Sequence, residues 1–307
     1  MKRVAILLLA AVLVTGGGVR AQTLDRMTED QVLDEVLAMR WSIGPGSFTL
    51  PRSNSTIEIG DGQEILLGET AARYDYLTGG VESPETEAIV WNAADDSMTY
   101  FTFFDVGYVT EEDWDAVDPA DFMRQIKDTE VELNAERVRV GVAPFYTDGW
   151  RQEPVFDEPV HTAYWATDLS AGGERWINAT ALRLSRGGYH QIIWAGGGDG
   201  FAAAQSTLGG LLDTHRYNEG HRYEDYADGD ATSGMSIGSL AAATMGVDLG
   251  AGIVAGAIAI AVAVLKKAWI VVIPLVAGIG ALLARRRQKA PTATGTPPDS
   301  TKPPAIG

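Results

Sequence analysis

The sequence predicts an α+β fold: a mixed or antiparallel sheet domain with packed helices, followed by a C-terminal transmembrane helix. Strand-like runs follow one another across glycine turns, as in hairpins, without the βαβ alternation of a parallel sheet. Two helices begin at strong caps among those runs, and the chain closes with apolar stretches bordered by Trp and Arg.

Thr28-Glu29-Asp30-Gln31 is a capping box that opens a helix to about Arg40, with Val32, Leu33, Val36 and Leu37 on one side. Gly44-Pro45-Gly46 breaks the chain, and short strands follow at 47–50 and 56–59. Residues 89–91 and 98–104 read as paired strands about the turn 92–97. Asp118-Pro119-Ala120-Asp121 supplies a cap acid and a first-turn proline, predicting a long helix to about Val140 with Gly141 as its stop. Strands at 161–167 and 175–186 flank Ser170-Ala171-Gly172-Gly173, and Gly187-Gly188 between 175–186 and 189–195 signals a hairpin. A further helix is expected at 201–212, with Asp199 as its cap.

Both termini read as membrane-directing. Residues 1–21 have a basic start, an apolar run from Val4 to Val14 and a small-residue cut site after Ala21, as in a signal peptide. Residues 22–235 form the acidic domain, expected outside the cytoplasm. Residues 236–267 read as a Gly/Ala-rich approach helix, 268–284 as the membrane anchor, and 285–307 as a basic, then Pro/Thr-rich cytoplasmic tail. Lys266, Lys267 and Trp269 flank the anchor on one side and Arg285, Arg286 and Arg287 on the other; the arginines belong in the cytoplasm. Gly246, Gly250, Gly252 and Gly256 give small-xxx-small spacings suited to helix association. The expected location is therefore the bacterial inner membrane, with a single span and the main domain periplasmic.

Charge and cysteine content narrow the chemistry. The chain has a net charge of −17, yet residues 22–235 hold 14 basic and 39 acidic side chains, a net −25. Such a domain repels nucleic acid and anionic headgroups. With no cysteine, disulfides, thiolate metal sites and cysteine nucleophiles are excluded. Gly234-Met235-Ser236-Ile237-Gly238 fits the nucleophile-elbow pattern, but no histidine follows residue 221 to complete a triad. His215, His221, Asp225 and Asp230 are candidate metal ligands in an acidic segment without EF-hand spacing. His161 with Asp157, and Arg137 with Asn134, are candidate catalytic groups. Glu130, Asn134 and Arg137 share one helical face, read first as a polar bonding cluster. Trp165, Trp176, Tyr189 and Trp194 could line a small-ligand site or fill the core. No residue pattern specifies a cofactor.

The order of several short motifs resembles the DUF2167 family of bacterial membrane-anchored proteins. They are Gly107-Tyr108-Val109; Asn134, Arg137 and Gly141; Gly149-Trp150 with Pro154 and Asp157; His161; Trp165-Ala166; Asn178; Leu184, Arg186 and Gly188; Gly220 with Arg222-Tyr223; Asp230 and Gly234; and Lys266-Lys267. Leu77-Thr78-Gly79-Gly80 and Leu184-Ser185-Arg186 depart from the usual turns. The resemblance implies a signal peptide, an extracytoplasmic domain and a C-terminal span, and it brings no catalytic residues. The expected role is an envelope interaction or scaffold protein, binding the membrane and other envelope proteins or itself. The alternatives are an envelope hydrolase or metal-dependent enzyme and a small-ligand-binding module.

Overall fold

The computed structural model describes residues 27–79, 82–139, 143–198, 212 and 214–249. The leader, the Gly141 stop, the Asp199 cap and residues 201–211 of the expected helix lie outside them. So do Gly250, Gly252, Gly256, Lys266, Lys267, Trp269, Arg285, Arg286, Arg287, the anchor and the tail. Among the described residues no helix is long and apolar enough to cross a membrane.

The fold is α+β with antiparallel sheets and a few helices. Strands β1 (Ser42–Ile43), β4 (Gln63–Leu67), β5 (Thr86–Asn92), β6 (Ser97–Phe104), β8 (Phe145–Asp157), β9 (Thr162–Ala171), β10 (Glu174–Ser185) and β11 (Gly188–Gly196) form one sheet. Its order is β1-β4-β5-β6-β11-β10-β9-β8, with antiparallel neighbours throughout. Two meanders thus meet where β6 pairs with β11. A smaller sheet has the order β12-β3-β2, from β2 (Gly46–Leu50), β3 (Ser55–Ile59) and β12 (His215–Tyr217). Strands β7 (Tyr108–Thr110) and β13 (Thr232–Ser236) pair in parallel.

Side-chain alternation along the strands divides the molecule into three layers. On β10, Leu182 and Leu184 point to one face and Ala181 to the other. The first face meets α3 (Pro119–Arg139) and α4 (Ile237–Met245) through Phe122, Ile126, Leu240, Ala241 and Met245. Further along that face, α1 (Glu29–Ala38) and α2 (Gly68–Gly79) cover Leu66, Ile89, Trp91, Met98 and Tyr100. The opposite face packs Val90, Phe101, Ala181 and Ile192 against Leu50, Ile57 and Ile59 of the small sheet. Trp165, Tyr189 and Trp194 belong to these cores and not to an open ligand site.

Local rules set the element ends. Thr28 and Gln31 bond reciprocally at the start of α1, and Asp118 Oδ1 accepts the Ala120 and Asp121 N–H groups at the start of α3. The β10–β11 turn is centred on Arg186-Gly187, with Ser185 opposite Gly188. The pair Gly187-Gly188 is thus not the turn itself. Gly188 lies where a Cβ would run into the Phe104 carbonyl oxygen of β6.

The sequence reading placed 236–267 beyond the domain as one approach helix, and the structure differs. Helix α4 is buried along its whole length and ends at Gly246, which takes left-handed φ 71° and donates to Ala242 and Ala243 carbonyls. Gly246 therefore closes a core helix.

Helix α3 also seals the edge strand β8. Asn134 Oδ1 accepts the Phe145 N–H at 2.8 Å while its Nδ2 donates to the Phe145 carbonyl at 2.6 Å. Glu130 Oε1 accepts the Thr147 N–H at 2.7 Å, and Arg137 Nε donates to the Ala143 carbonyl at 2.8 Å. These bonds satisfy backbone groups that an edge strand otherwise leaves open.

Two predictions follow from this packing. Asn134→Ala strands both backbone groups of buried Phe145 and costs about 1–3 kcal/mol, seen as a lower urea midpoint at unchanged slope; an unaltered midpoint would remove the seal from the account. Asp75, on α2, is raised by burial to about 6, although Thr86 Oγ1 donates to it at 2.7 Å. Its stabilising, protonated form is fully present below 3.8 and is lost as pH rises through about 6. Asp75→Asn keeps the acceptor without the charge, so it raises the unfolding midpoint at pH 7.5, with no gain near pH 4. A variant less stable than wild type at pH 7.5 contradicts this.

Candidate functional site

An open cleft of about 620 Å³ lies where the chain leaving β7 meets the end of β8. Six carboxylates border it: Glu111, Glu112, Asp113, Asp115, Asp157 and Glu158. Trp114, Phe156 and Tyr164 supply apolar wall, and among the described residues no Lys or Arg lines it. The β8–β9 pairing, with Asp157 opposite Thr162, brings the second acidic segment to the first.

Two of the six are tied into the fold. Glu111 Oε1 lies 2.6 Å from His161 Nδ1. His161 holds left-handed φ 49° at the end of the 3-10 turn Glu158–Val160, and its carbonyl accepts the Leu184 N–H. A non-glycine residue in that conformation is held by its surroundings. Its ring packs on Tyr223, which stacks on Tyr108, which stacks on Tyr226, at centroid separations of 4.4, 4.5 and 4.0 Å. Asp113 accepts the Gly238 N–H at 2.9 Å and the Ser236 hydroxyl. By contrast, the carboxylates of Glu112, Asp115, Asp157 and Glu158 have no hydrogen-bond or ion-pair partner among the described residues.

The elbow-like motif has its strand, β13, and its helix, α4. Its chemistry is nevertheless that of a cap. Asp113 accepts the Gly238 N–H, as a carboxylate at a helix start does, and among the described residues no histidine bonds Ser236. Gly238 is required by that approach, since a Cβ there would lie 2.6 Å from Asp113 oxygens. The Ser236 hydroxyl bonds Asp113 and Ser239.

Among the described residues no group of three His, Asp or Glu side chains is placed to hold an ion. Asp230 forms a two-point pair with Arg186, at 2.7 and 2.9 Å, and the guanidinium holds its carboxyl down at about 2. Asp225 accepts the Gly220 and Arg222 N–H groups. His221 is exposed, whereas His215 is fully buried on β12. The catalytic candidates Asn134 and Arg137 sit in the β8 seal on α3, away from His161 and Asp157.

A second polar cluster, missed in the sequence, lies between the two sheets. A register shift between Thr86 and Ala88 turns Glu87 inward, where its carboxylate accepts the Ser53 N–H at 2.9 Å and faces His190 Nε2 at 3.2 Å. His190 Nδ1 lies 2.9 Å from the Tyr217 hydroxyl, which also reaches the Arg183 carbonyl at 2.9 Å. His215 Nε2 meets the Ser55 hydroxyl at 3.0 Å, and its Nδ1 has no partner. Burial lowers both histidines, strongly so for His215, against the pull of Glu87 on His190. Burial alone would raise Glu87, but the bonds from His190 and Ser53 hold it below its ordinary value. With both rings enclosed, this cluster offers no access to a substrate.

No curated protein matches the chain. Two of the solved structures that resemble it show how weak the likeness is. Cyanobacterial PsbP (CyanoP) from Synechocystis sp. PCC 6803 shares 9% identity over 56% of this chain and 92% of that one, with a TM-score of 0.35. The Saccharomyces cerevisiae Ran-binding protein Mog1p shares 11% identity over 57% of this chain and 96% of that one, with a TM-score of 0.32. At such scores neither likeness bears on the fold or the site. The family described as protein of unknown function (DUF2167) matches residues 42–277, a span that runs from β1 past α4 and takes in both polar clusters. The ordered motifs from Gly107 to Lys266-Lys267 fall within it, and the chain belongs to this family.

Proposed function

We propose that this chain is a membrane-anchored protein of the cell envelope whose acidic domain takes a cationic segment of a partner protein into the cleft. The cleft carries the reading: four carboxylates without internal partners surround an aromatic wall. Carboxylates attract Lys and Arg, and aromatic faces add cation–π attraction once a cation is partly desolvated. The leader at 1–21, the anchor at 268–284 and the arginines at 285–287 support an extracytoplasmic placement of the domain, and its −25 charge disfavours nucleic acid as a partner.

The hydrolase alternative has, among the described residues, no histidine bonded to Ser236 and no group of three ligands placed to hold a metal. The Ser236 hydroxyl is tied to Asp113 and Ser239, so Ser236→Ala costs about 1 kcal/mol of stability. A serine-directed fluorophosphonate is expected to leave the protein unlabelled; modification at Ser236 would restore the hydrolase reading.

The binding reading is tested on the full chain in mild detergent with an oligolysine peptide. Binding should saturate and weaken with salt. Combining Glu112→Gln, Asp157→Asn and Glu158→Gln removes three surface charge contacts and lowers affinity about tenfold. Equal affinity of wild type and triple variant overturns the proposal.

A further inference from the structure

We infer that β12 is an acid-released latch: protonation of the two histidines buried between the sheets drives this strand away from β3 while the large sheet stays folded. The geometry is a cluster of groups from six strands meeting across one seam. His190, on β11, faces Glu87 from β5, Phe101 and Phe103 from β6, Arg183 from β10, and His215 and Tyr217 from β12. His215 faces Ser55 from β3, Phe101, His190, Arg183 and, on its own strand, Tyr217. The two imidazoles stand edge to face with centroids 4.5 Å apart.

The two rings differ in what a proton does to them. Neutral His190 donates from Nε2 to Glu87 and accepts the Tyr217 hydroxyl at Nδ1. When it gains a proton, Nδ1 becomes a donor to the same oxygen, and the Tyr217 hydroxyl turns to the Arg183 carbonyl, already 2.9 Å away. Glu87 balances the charge. The cluster therefore has a place for one proton.

It has none for a second. His215 uses Nε2 on Ser55, and among the described residues Nδ1 has no acceptor. A cation there would lie beside charged His190 and near the Arg183 guanidinium, which is fixed by its bonds to the Leu212 and His215 carbonyls. A buried charge without a partner is relieved by exposure to water. Strand β12 has three residues, pairs on one side only with Ser55–Ile57, and forms an edge of the small sheet.

The direction in pH follows from linkage. Both rings titrate below their ordinary value of 6.5 when enclosed, so the closed form is favoured above 6.5 and loses that advantage as pH falls. At one unit below 6.5, proton uptake by exposed His215 alone favours the released strand about tenfold.

Hydrogen exchange on the full chain in detergent at pH 7.5 and 5.5, corrected for the intrinsic pH dependence of exchange, tests this. Protection of residues 215–217 and 55–57 should drop at least about tenfold, while Thr162–Ser185 in β9 and β10 remain protected. His215→Leu should remove most of that drop. Unchanged protection at both pH values overturns the latch, as does simultaneous loss across both sheets. If His215→Leu does not fold, the imidazole NMR signals of the wild type decide. His215 must titrate together with the loss of β12 protection. A ring that stays neutral to pH 4.5 in a folded protein overturns the inference.

Discussion

The antiparallel pairing of β6 with β11 is the interaction on which the other layers depend. It runs from Met98 opposite Ala195 to Phe104 opposite Tyr189, and it joins the meander β4-β5-β6 to the meander β8-β9-β10-β11. Closing so long a loop costs chain entropy, and the compensation comes from both faces at once. Tyr189 enters the core under α3 and α4, and Ile192 and Phe101 enter the core above the small sheet. The fit at the seam leaves no room for a Cβ at Gly188. The same register sets His190 opposite Phe103 and beneath β12, so the buried cluster is a consequence of the way the meanders meet.

Several groups that resembled functional sets are answers to one constraint, that buried or edge backbone groups must be bonded. Glu130, Asn134 and Arg137 share a helical face because β8 runs along it. Asp225 and Asp230 have separate tasks, one gathering the Gly220 and Arg222 N–H groups and the other pairing with Arg186 and accepting the Ala227 N–H. Asp113 and Ser236 close the start of α4. In each case a polar side chain at catalytic or ligand-like spacing is already committed to a backbone group or to a single ion pair.

What was legible in the sequence was local. The caps of α1 and α3 and the runs that became β5, β6, β9, β10 and β11 carry their own signals of period and turn residues. Strand β8 does not: Gly149 and Pro154 interrupt it, and three register shifts break its alternation. Helix α2 begins at Gly68 without a strong cap signal, and three-residue β12 is too short to show a period. At the candidate site, His161 and Asp157 were legible as neighbours. Their meeting with Glu111, Trp114 and Tyr164 was not, because it depends on the β8–β9 register. The run Glu111-Glu112-Asp113-Trp114-Asp115 was the available signal, an aromatic set within an acidic stretch.

The distribution of those acids separates two reasons for their presence. Glu111 and Asp113 have internal partners, and the fold explains them. Glu112, Asp115, Asp157 and Glu158 have none among the described residues, yet two chain segments bring them to the same cleft. Like charges gathered in this way repel, and the repulsion opposes folding. Solubility alone is served equally well by acids dispersed over the surface. A concentration of unpaired carboxylates beside aromatic rings is costly to the free protein, and a cation entering the cleft relieves that cost. The proposed cationic partner rests on this contrast, since the stability of the domain does not account for the four acids.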